Sequence, residues 1–317
     1  EATALLDPCG RAEVLAALAA ARILGLTFCA TYHTAIPQYA GILTGEPQVE
    51  EYAWRYIRWF YNQADIIFSP SQAVTRELVD RGVAVEKIKI MPRGVDVDRF
   101  HPRFRRENIN LPEGPRLLYV GRVSREKNLP LLVRAFKKAR HQLRAHLVVV
   151  GDGPYLGRMK AELSEDEATF THFLRGDALS SVYASCDLFV FPSATDTFGN
   201  VVLEAQASGL PVLVSDQGGP RENLLPGETG MVVPANDETA FAEAMVAMLS
   251  DQGRLRQMAD KASEYAKTRS YARAFDDYWR MYPDGRGLEV ELPEVEKEIG
   301  KMLAAPSRMV SGMITGR

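Results

Sequence analysis

At 317 residues, 46% of them hydrophobic, the chain is longer than one ordinary domain and has enough apolar content for two cores. A net charge of −3 gives no basic footprint for nucleic acid, and the longest apolar stretch, VLAALAAARILGL, is short and broken by Arg22, so no segment qualifies as a membrane span. The three cysteines, Cys9, Cys29 and Cys186, are odd in number and lack metal-type spacing; Cys29 and Cys186 sit beside apolar strand residues, which makes a reducing cytoplasm the expected compartment.

In chain order, hydrophobic periodicity predicts a helix over 13–24, a strand over 27–32, a helix over 49–63, a strand over 65–69, a helix over 71–81 and a strand over 87–91. His33 stands where the first of these strands ends, a position at which histidines are more often surface or satisfied core residues than functional ones. The helix containing EEYAWRYIRWFYNQ is unusually aromatic. Trp54, Ile57 and Tyr61 fall at helical spacing and should pack on the sheet. Tyr56, Trp59 and Phe60, with Arg55 and Arg58 between them, carry a second reading, peripheral contact with a membrane or lipid acceptor.

Residues 94–115, GVDVDRFHPRFRRENINLPEGP, are rich in turn formers and charge and have no period, as an interdomain connection does. Beyond it the predicted elements alternate: strand 116–120, helix 130–140, strand 145–150, helices 155–163 and 178–185, strand 188–191, helix 199–208, strand 211–215, a short strand at MVVP, helices 237–249 and 252–267, and an amphipathic helix 271–281. Such alternation means parallel strands covered by helices, with their carboxyl ends on one edge where ligands bind. From Pro283 onward proline and charge dominate, which predicts a loose tail with one helix around 295–303.

Two stretches carry chemistry. LLYVGRVSREKNLPLLVRAF, 117–136, is a strand, a glycine turn with three cations and a helix; Arg122 and Lys127 are placed to neutralise a diphosphate, and Arg125 to be solvated. SATDTFGNVVLEAQASGLPVLVSDQGGPREN, 193–223, sets Asp196 before a glycine turn and Glu204 in the second turn of the helix that follows. The amides of Gly199 and Asn200 at that helix start suit a phosphate, and two carboxylates on one side of the crevice can accept hydrogen bonds from sugar hydroxyls. Taken singly, Asp196 and Thr197 fit a plain helix cap and Glu204 an ordinary surface acid. GDGP at 151–154 makes a tight turn in any protein, and GGP at 218–220 with Glu222 fits a bare turn nearly as well as a donor contact.

The ordered motifs VGRxSxxKN, GDGP and PS..(D/E)xFGNxxLEA..SGxPV..S..GGP.E resemble the retaining glycosyltransferases of family 4, over about residues 18–282. TYHTAIPQYA and TDTFGNVVLEAQASGLPV look most like the GDP-mannose-dependent α-mannosyltransferases and relatives that glycosylate lipids. The resemblance implies a GT-B fold, two Rossmann-like doubly wound parallel-sheet domains facing a cleft. They would occupy 1–98 (acceptor side) and 99–270 (donor side), followed by a crossover helix and tail at 271–317. It also implies that Arg122 and Lys127 contact the donor diphosphate, that Asp196 meets the transferred sugar and Glu204 the ribose, and that backbone amides at Phe198, Gly199 and Asn200 contact sugar or phosphate. The turn at Gly151 would lie near the nucleoside and His33 beside the sugar. Aspartate at 196 is one methylene shorter than the family's usual glutamate, which leaves sugar identity open. The first domain has room only for the later half of a GT-B domain, so a truncated chain is expected.

Together these features predict hexose transfer, mannose favoured, from a nucleotide sugar to a hydroxyl acceptor such as a lipid. Anomeric configuration would be retained through front-face attack. With no metal-ligand spacing in the chain, neither a metal nor another cofactor is expected, and leaving-group charge would fall to Arg122, Lys127 and helix amides. A dinucleotide oxidoreductase lacks its G-x-G-x-x-G signature here. A UDP-hexose donor and a noncatalytic sugar-nucleotide-binding remnant remain the alternatives.

Overall fold

The computed structural model describes residues 8–106 and 111–282; the helix expected at 295–303 lies outside the described residues. The chain begins with α1 (Pro8–Ile23), β1 (Cys29–Thr31), α2 (Ile36–Thr44), α3 (Pro47–Asn62), β2 (Ile66–Ser69), α4 (Gln72–Asp80) and β3 (Ile88–Ile90). Its three strands form a parallel sheet in the order β1-β2-β3. α3 buries Trp54, Ile57 and Tyr61 on the predicted face, and the Tyr61 hydroxyl donates to the Thr31 carbonyl at 3.0 Å. Phe60 stacks on Tyr56 and meets Phe28 and the buried Tyr61 edge-on, so these half-buried rings flank the first unit's core. Ser71 caps α4 by accepting from the Val74 amide at 3.2 Å. The sequence reading had no counterpart for α2, which grows directly out of the TYHT turn with Pro37 in its first turn and ends at Gly45 in the left-handed region.

The second unit comprises β4 (Arg116–Val120), α5 (Leu129–Arg140), β5 (His146–Val150), α6 (Leu156–Glu162), β6 (Ala168–His172), α7 (Gly176–Ser185), β7 (Leu188–Phe191), α8 (Asn200–Ala207), β8 (Val212–Ser215), β9 (Gly230–Val233), α9 (Glu238–Ser250) and α10 (Gln252–Lys267). All six strands are parallel, in the order β6-β5-β4-β7-β8-β9. β5, β7 and β8 are buried along their whole length, as strands covered by helices on both faces must be. Leu117, Leu118, Leu132 and Phe136 are fully buried, each stabilising the fold by about 1.5–3 kcal/mol through removal from water. β6, on the edge, was not anticipated: of ATFTH only Ala168 is fully buried, with Phe170 packed partly against the core.

Because strand order reverses between β4 and β7, the loops that follow these two strands diverge and leave a crevice above their carboxyl ends. Helix α11 (Tyr271–Trp279) then returns to the first unit, where Tyr278 and Tyr282 pack their rings on Phe68 of β2 at 4.9 and 5.2 Å. The backbone of the connection is tied to this return: the Val95 amide donates to the Arg269 carbonyl and the Tyr271 amide to the Val95 carbonyl, at 2.8 and 3.0 Å.

Candidate functional site

Both diverging loops carry the residues singled out in sequence, and one ion pair joins them. After β4, a single 3-10 turn at Arg125–Lys127 folds Lys127 back over the sheet edge, and Asn128, left-handed at φ 57°, starts α5. Lys127 is 8% exposed, and its Nζ donates to both carboxylate oxygens of Asp196, at 2.9 and 2.8 Å, from the loop after β7. Burial pulls the ammonium toward the neutral form, but the Asp196 carboxylate and the Tyr39 hydroxyl, 3.5 Å away, outweigh it and the lysine pKa is raised. Lys127 is therefore firmly charged.

The sequence reading left Lys127 free for phosphate and Asp196 free for sugar. Here they hold one another. Arg122 is also engaged: it is exposed, pairs with Glu126 one turn on, and lies over the Tyr39 ring at 5.8 Å. Glu126 stays ionised in spite of its burial because Ser124 Oγ, at 2.5 Å, and the two cations hold its carboxyl below the usual range. Arg125 is exposed, as expected.

At the start of α8, Gly199 is left-handed at φ 78°, and no side chain caps the helix. The Val202 amide turns back onto the Gly199 carbonyl at 3.0 Å, which leaves the Asn200 amide at the helix head for an anion. Phe198, just before, is buried, and its carbonyl accepts from Asn223 Nδ2 at 2.6 Å. Glu204 has a partner the sequence did not show: its carboxylate accepts from the fully buried Tyr183 hydroxyl of α7 at 2.9 Å, and burial raises its pKa. At Gly151 a Cβ would lie 2.0 Å from the Gly121 carbonyl oxygen, so close packing of the β4 and β5 loops requires glycine there.

The first unit supplies the opposite wall. His33 Nδ1 is 3.0 Å from Arg93 Nη2, and since arginine only donates, Nδ1 accepts and the neutral ring carries its proton on Nε2. Burial, then the Arg93 charge, lower the His33 pKa. Arg93 also covers the Phe198 ring at 5.2 Å, and Thr197 Oγ1 donates to the His33 carbonyl at 2.7 Å, so His33 is stitched to the loop that carries Asp196. Beside them lies a chamber of about 240 Å³ lined in part by Gln38, Glu77, Asp196, Thr197 and Gly218. Gln38 Nε2 donates to Glu77, whose pKa burial raises. Glu222, from the turn after β8, accepts from the Gln72 and Ala73 amides at the start of α4, both at 2.7 Å, and Ala73 lines the chamber. Arg93, Tyr39, Gln38 and Glu77 were absent from the sequence-derived site; Gln38 and Tyr39 lie within the TYHTAIPQYA motif itself, whereas nothing local marks Arg93 or Glu77. Among the described residues no three His, Cys, Asp or Glu side chains converge as metal ligands.

Residues 11–99 match the family model described as Glycosyltransferase Family 4 and residues 114–251 the one described as Glycosyl transferases group 1. The chain belongs to the family 4 glycosyltransferases. Within that family it is 34% identical over 261 residues to the sulfoquinovosyl transferase SQD2 of Arabidopsis thaliana, covering 79% of this chain and 50% of that one. It is 35% identical over 242 residues to a GDP-mannose-dependent alpha-mannosyltransferase of Mycobacterium tuberculosis, covering 75% and 62%. The chain thus spans half to somewhat under two thirds of these curated relatives. Sucrose-phosphate synthase from Thermosynechococcus elongatus superimposes with a TM-score of 0.70 at 26% identity, over 81% of this chain and 67% of the other. The two parallel-sheet units of this family member constitute the GT-B fold.

Proposed function

We propose that this chain transfers a hexose, mannose by preference, from a nucleoside diphosphate sugar, GDP-mannose by preference, to a hydroxyl acceptor of lipid type, with retention of configuration and without a metal ion. Residues 1–98 would form the acceptor-side unit, 99–270 the donor-side unit and 271–317 the crossover helix and tail. The single observation that carries the reading is the Lys127–Asp196 pair at the β4/β7 switch point, beside the uncapped start of α8 and facing His33. Ligands of open α/β sheets bind at such a switch point.

In this reading the diphosphate lies at the α8 amides, with Lys127 and Arg122 as its cations, and the hexosyl ring fills the chamber beside Asp196 and Thr197. That chamber, about 240 Å³, equals about eight waters of liquid volume, room for one sugar ring. Asp196 accepts from sugar hydroxyls with its remaining lone pairs, and the neutral His33 offers its Nε2–H. Glu204 is assigned to the ribose only if it exchanges the Tyr183 hydroxyl for a ribose hydroxyl. As the anomeric C–O bond breaks, its electron pair moves onto the diphosphate, where the fixed cations and amides favour the transition state over the ground state. The acceptor oxygen forms the new bond on the same face and passes its proton to a phosphate oxygen.

The absence of a helix long and apolar enough to cross a membrane among the described residues is compatible with a cytoplasmic protein at the inner membrane face, the location we assign. Sugar identity differs between the relatives, one named for sulfoquinovose and one for mannose, so a different hexose and a UDP donor form the second reading. Calorimetric titration with GDP and UDP separates the two. Absence of binding by either nucleotide would overturn the donor site itself, and loss of turnover in EDTA would overturn metal independence.

A further inference from the structure

Two cavities meet on the face where α11 crosses to the first unit, and the steps proposed above touch them only at Arg93 and Asn200. The larger, about 440 Å³, is lined by Arg93, Thr268, Arg269, Arg273 and Asp277, among others. Its neighbour, about 370 Å³, is lined by Met91, Gly94, Asn200, Tyr271, Phe275 and Tyr278 among others. Pro92, Arg93 and Ala274 belong to both, so the two are continuous.

Their chemistry is lopsided. Three guanidiniums line the first cavity, and among the described residues none has a carboxylate partner. Arg93 contacts the His33 ring and Phe198, Arg269 donates to the Tyr265 hydroxyl at 3.0 Å, and Arg273 has only a backbone bond to Ser270. The one acid present, Asp277, is engaged by Arg280 at 3.2 Å. The neighbouring side is aromatic and open: Tyr271 is 57% exposed, Phe275 61% and Trp279 66%, with the last two stacked at 6.1 Å. Unpaired guanidiniums call for an anion with several acceptor oxygens. A contiguous exposed aromatic stripe calls for an apolar partner. Asn200, at the head of α8, lines the same space.

The geometry points to an acceptor subsite for an anionic amphiphile, a phosphate ester of an alkyl chain, with the phosphate on Arg269 and Arg273, the chain along Tyr271, Phe275 and Trp279, and the hydroxyl to be glycosylated at Asn200. This assignment rests on the reading that the donor occupies the start of α8; the binding measured below does not depend on it.

The full chain is titrated calorimetrically with decyl phosphate below its micelle concentration, with inorganic phosphate, with neutral decyl glucoside and, in the same preparation, with GDP. Decyl phosphate saturates one site and binds at least tenfold more tightly than either single-feature probe. Arg273→Gln and Phe275→Ser, both at exposed positions, each weaken it about tenfold while GDP affinity is unchanged. Equal binding of inorganic phosphate overturns the proposal in favour of a bare anion site, and equal binding of decyl glucoside in favour of hydrophobic adsorption. Displacement by GDP, or indifference to both substitutions, also overturns it. Failure of the donor reading shows separately, as absent GDP binding in the unsubstituted protein.

Discussion

Replacing Lys127 with methionine removes the ammonium and keeps most of the side-chain volume. The Asp196 carboxylate is left 19% exposed, opposite an apolar chain in a position where the lysine was 10% exposed. Breaking one side of a buried, hydrogen-bonded pair destabilises by about 3–5 kcal/mol, and the residual water access of Asp196 places the loss at the lower end, about 3 kcal/mol. For a chain of this size that is a fall in melting temperature of about 6–12 °C. The lysine pKa is raised above 10.5 in the fold, so the pair's contribution is fully present below that value and is lost only as pH rises through the folded pKa. The difference between the two proteins should therefore stay flat from about pH 7 to 9. Adding Asp196→Leu should restore most of the lost stability, because the orphaned charge goes with it. GDP should bind about 10- to 100-fold more weakly to Lys127→Met, the loss expected for one charged hydrogen bond. Scanning calorimetry and nucleotide titration read all of this. A single variant melting within about 2 °C of the parent, or a double variant less stable than the single, would refute the argument from a buried pair, and unchanged GDP affinity would refute the phosphate role.

His33 should titrate below its ordinary 6.5, since burial and Arg93 lower its pKa; imidazole NMR shifts should show the midpoint moving up in Arg93→Met, and a midpoint at or above 6.5 in the parent would contradict the neutral ring. The raised Glu204 carboxyl contributes stability below its unfolded pKa that is lost as pH rises through the folded value. The melting-temperature advantage of Glu204→Gln should accordingly grow as pH rises above the ordinary carboxylate range, and a constant difference would be inconsistent with burial as the cause. Gly151→Ala places a Cβ against the Gly121 carbonyl at a left-handed φ of 134°, which should cost about 3 kcal/mol in urea unfolding. Glu222→Gln weakens a charge-assisted bond to two α4 amides, and the cleft should open more often, read as faster proteolysis across residues 94–115; identical cleavage rates would show that Glu222 does not hold it shut.

The strands of the second unit were legible because two-sided burial writes continuous apolar runs: RLLYV and LFVF coincide with β4 and β7 residue for residue. β6 escaped because an edge strand buries little: Ala168 and Phe170 alternate with threonines, but two apolar positions are too short a period to stand out. α2 escaped because nine residues beginning at a proline-containing motif offer too short a window for a helical period. The site residues were legible as types and positions, whereas their partners were not. Lys127 and Asp196 are 69 residues apart, and only the reversal of strand order makes them neighbours. Arg122 and Glu126 lie four apart on a turn, a spacing open to inspection, yet the acid was overlooked between its two cations. Glu204 shows the limit of helical spacing as a guide. Eight residues fix its height on α8, but the Tyr183 hydroxyl from α7 decides which way it faces.

The loop after β4 and the loop after β5 are fastened together without side chains. The Gly121 amide reaches the Val150 carbonyl, the Val123 amide reaches Asp152, and Tyr155 reaches back to Val123, all within 3.0 Å, while Gly151 and Gly153 leave no gap between the two backbones. Such a joint has no hinge, so this wall of the chamber behaves as an anvil. The opposing wall meets it through side-chain contacts: Thr197 on His33, Glu222 on α4, Lys127 and Arg122 at Tyr39, and Arg93 over Phe198. Substitutions that loosen those attachments should therefore alter how fast a ligand enters and leaves the chamber more than how tightly the anvil grips it.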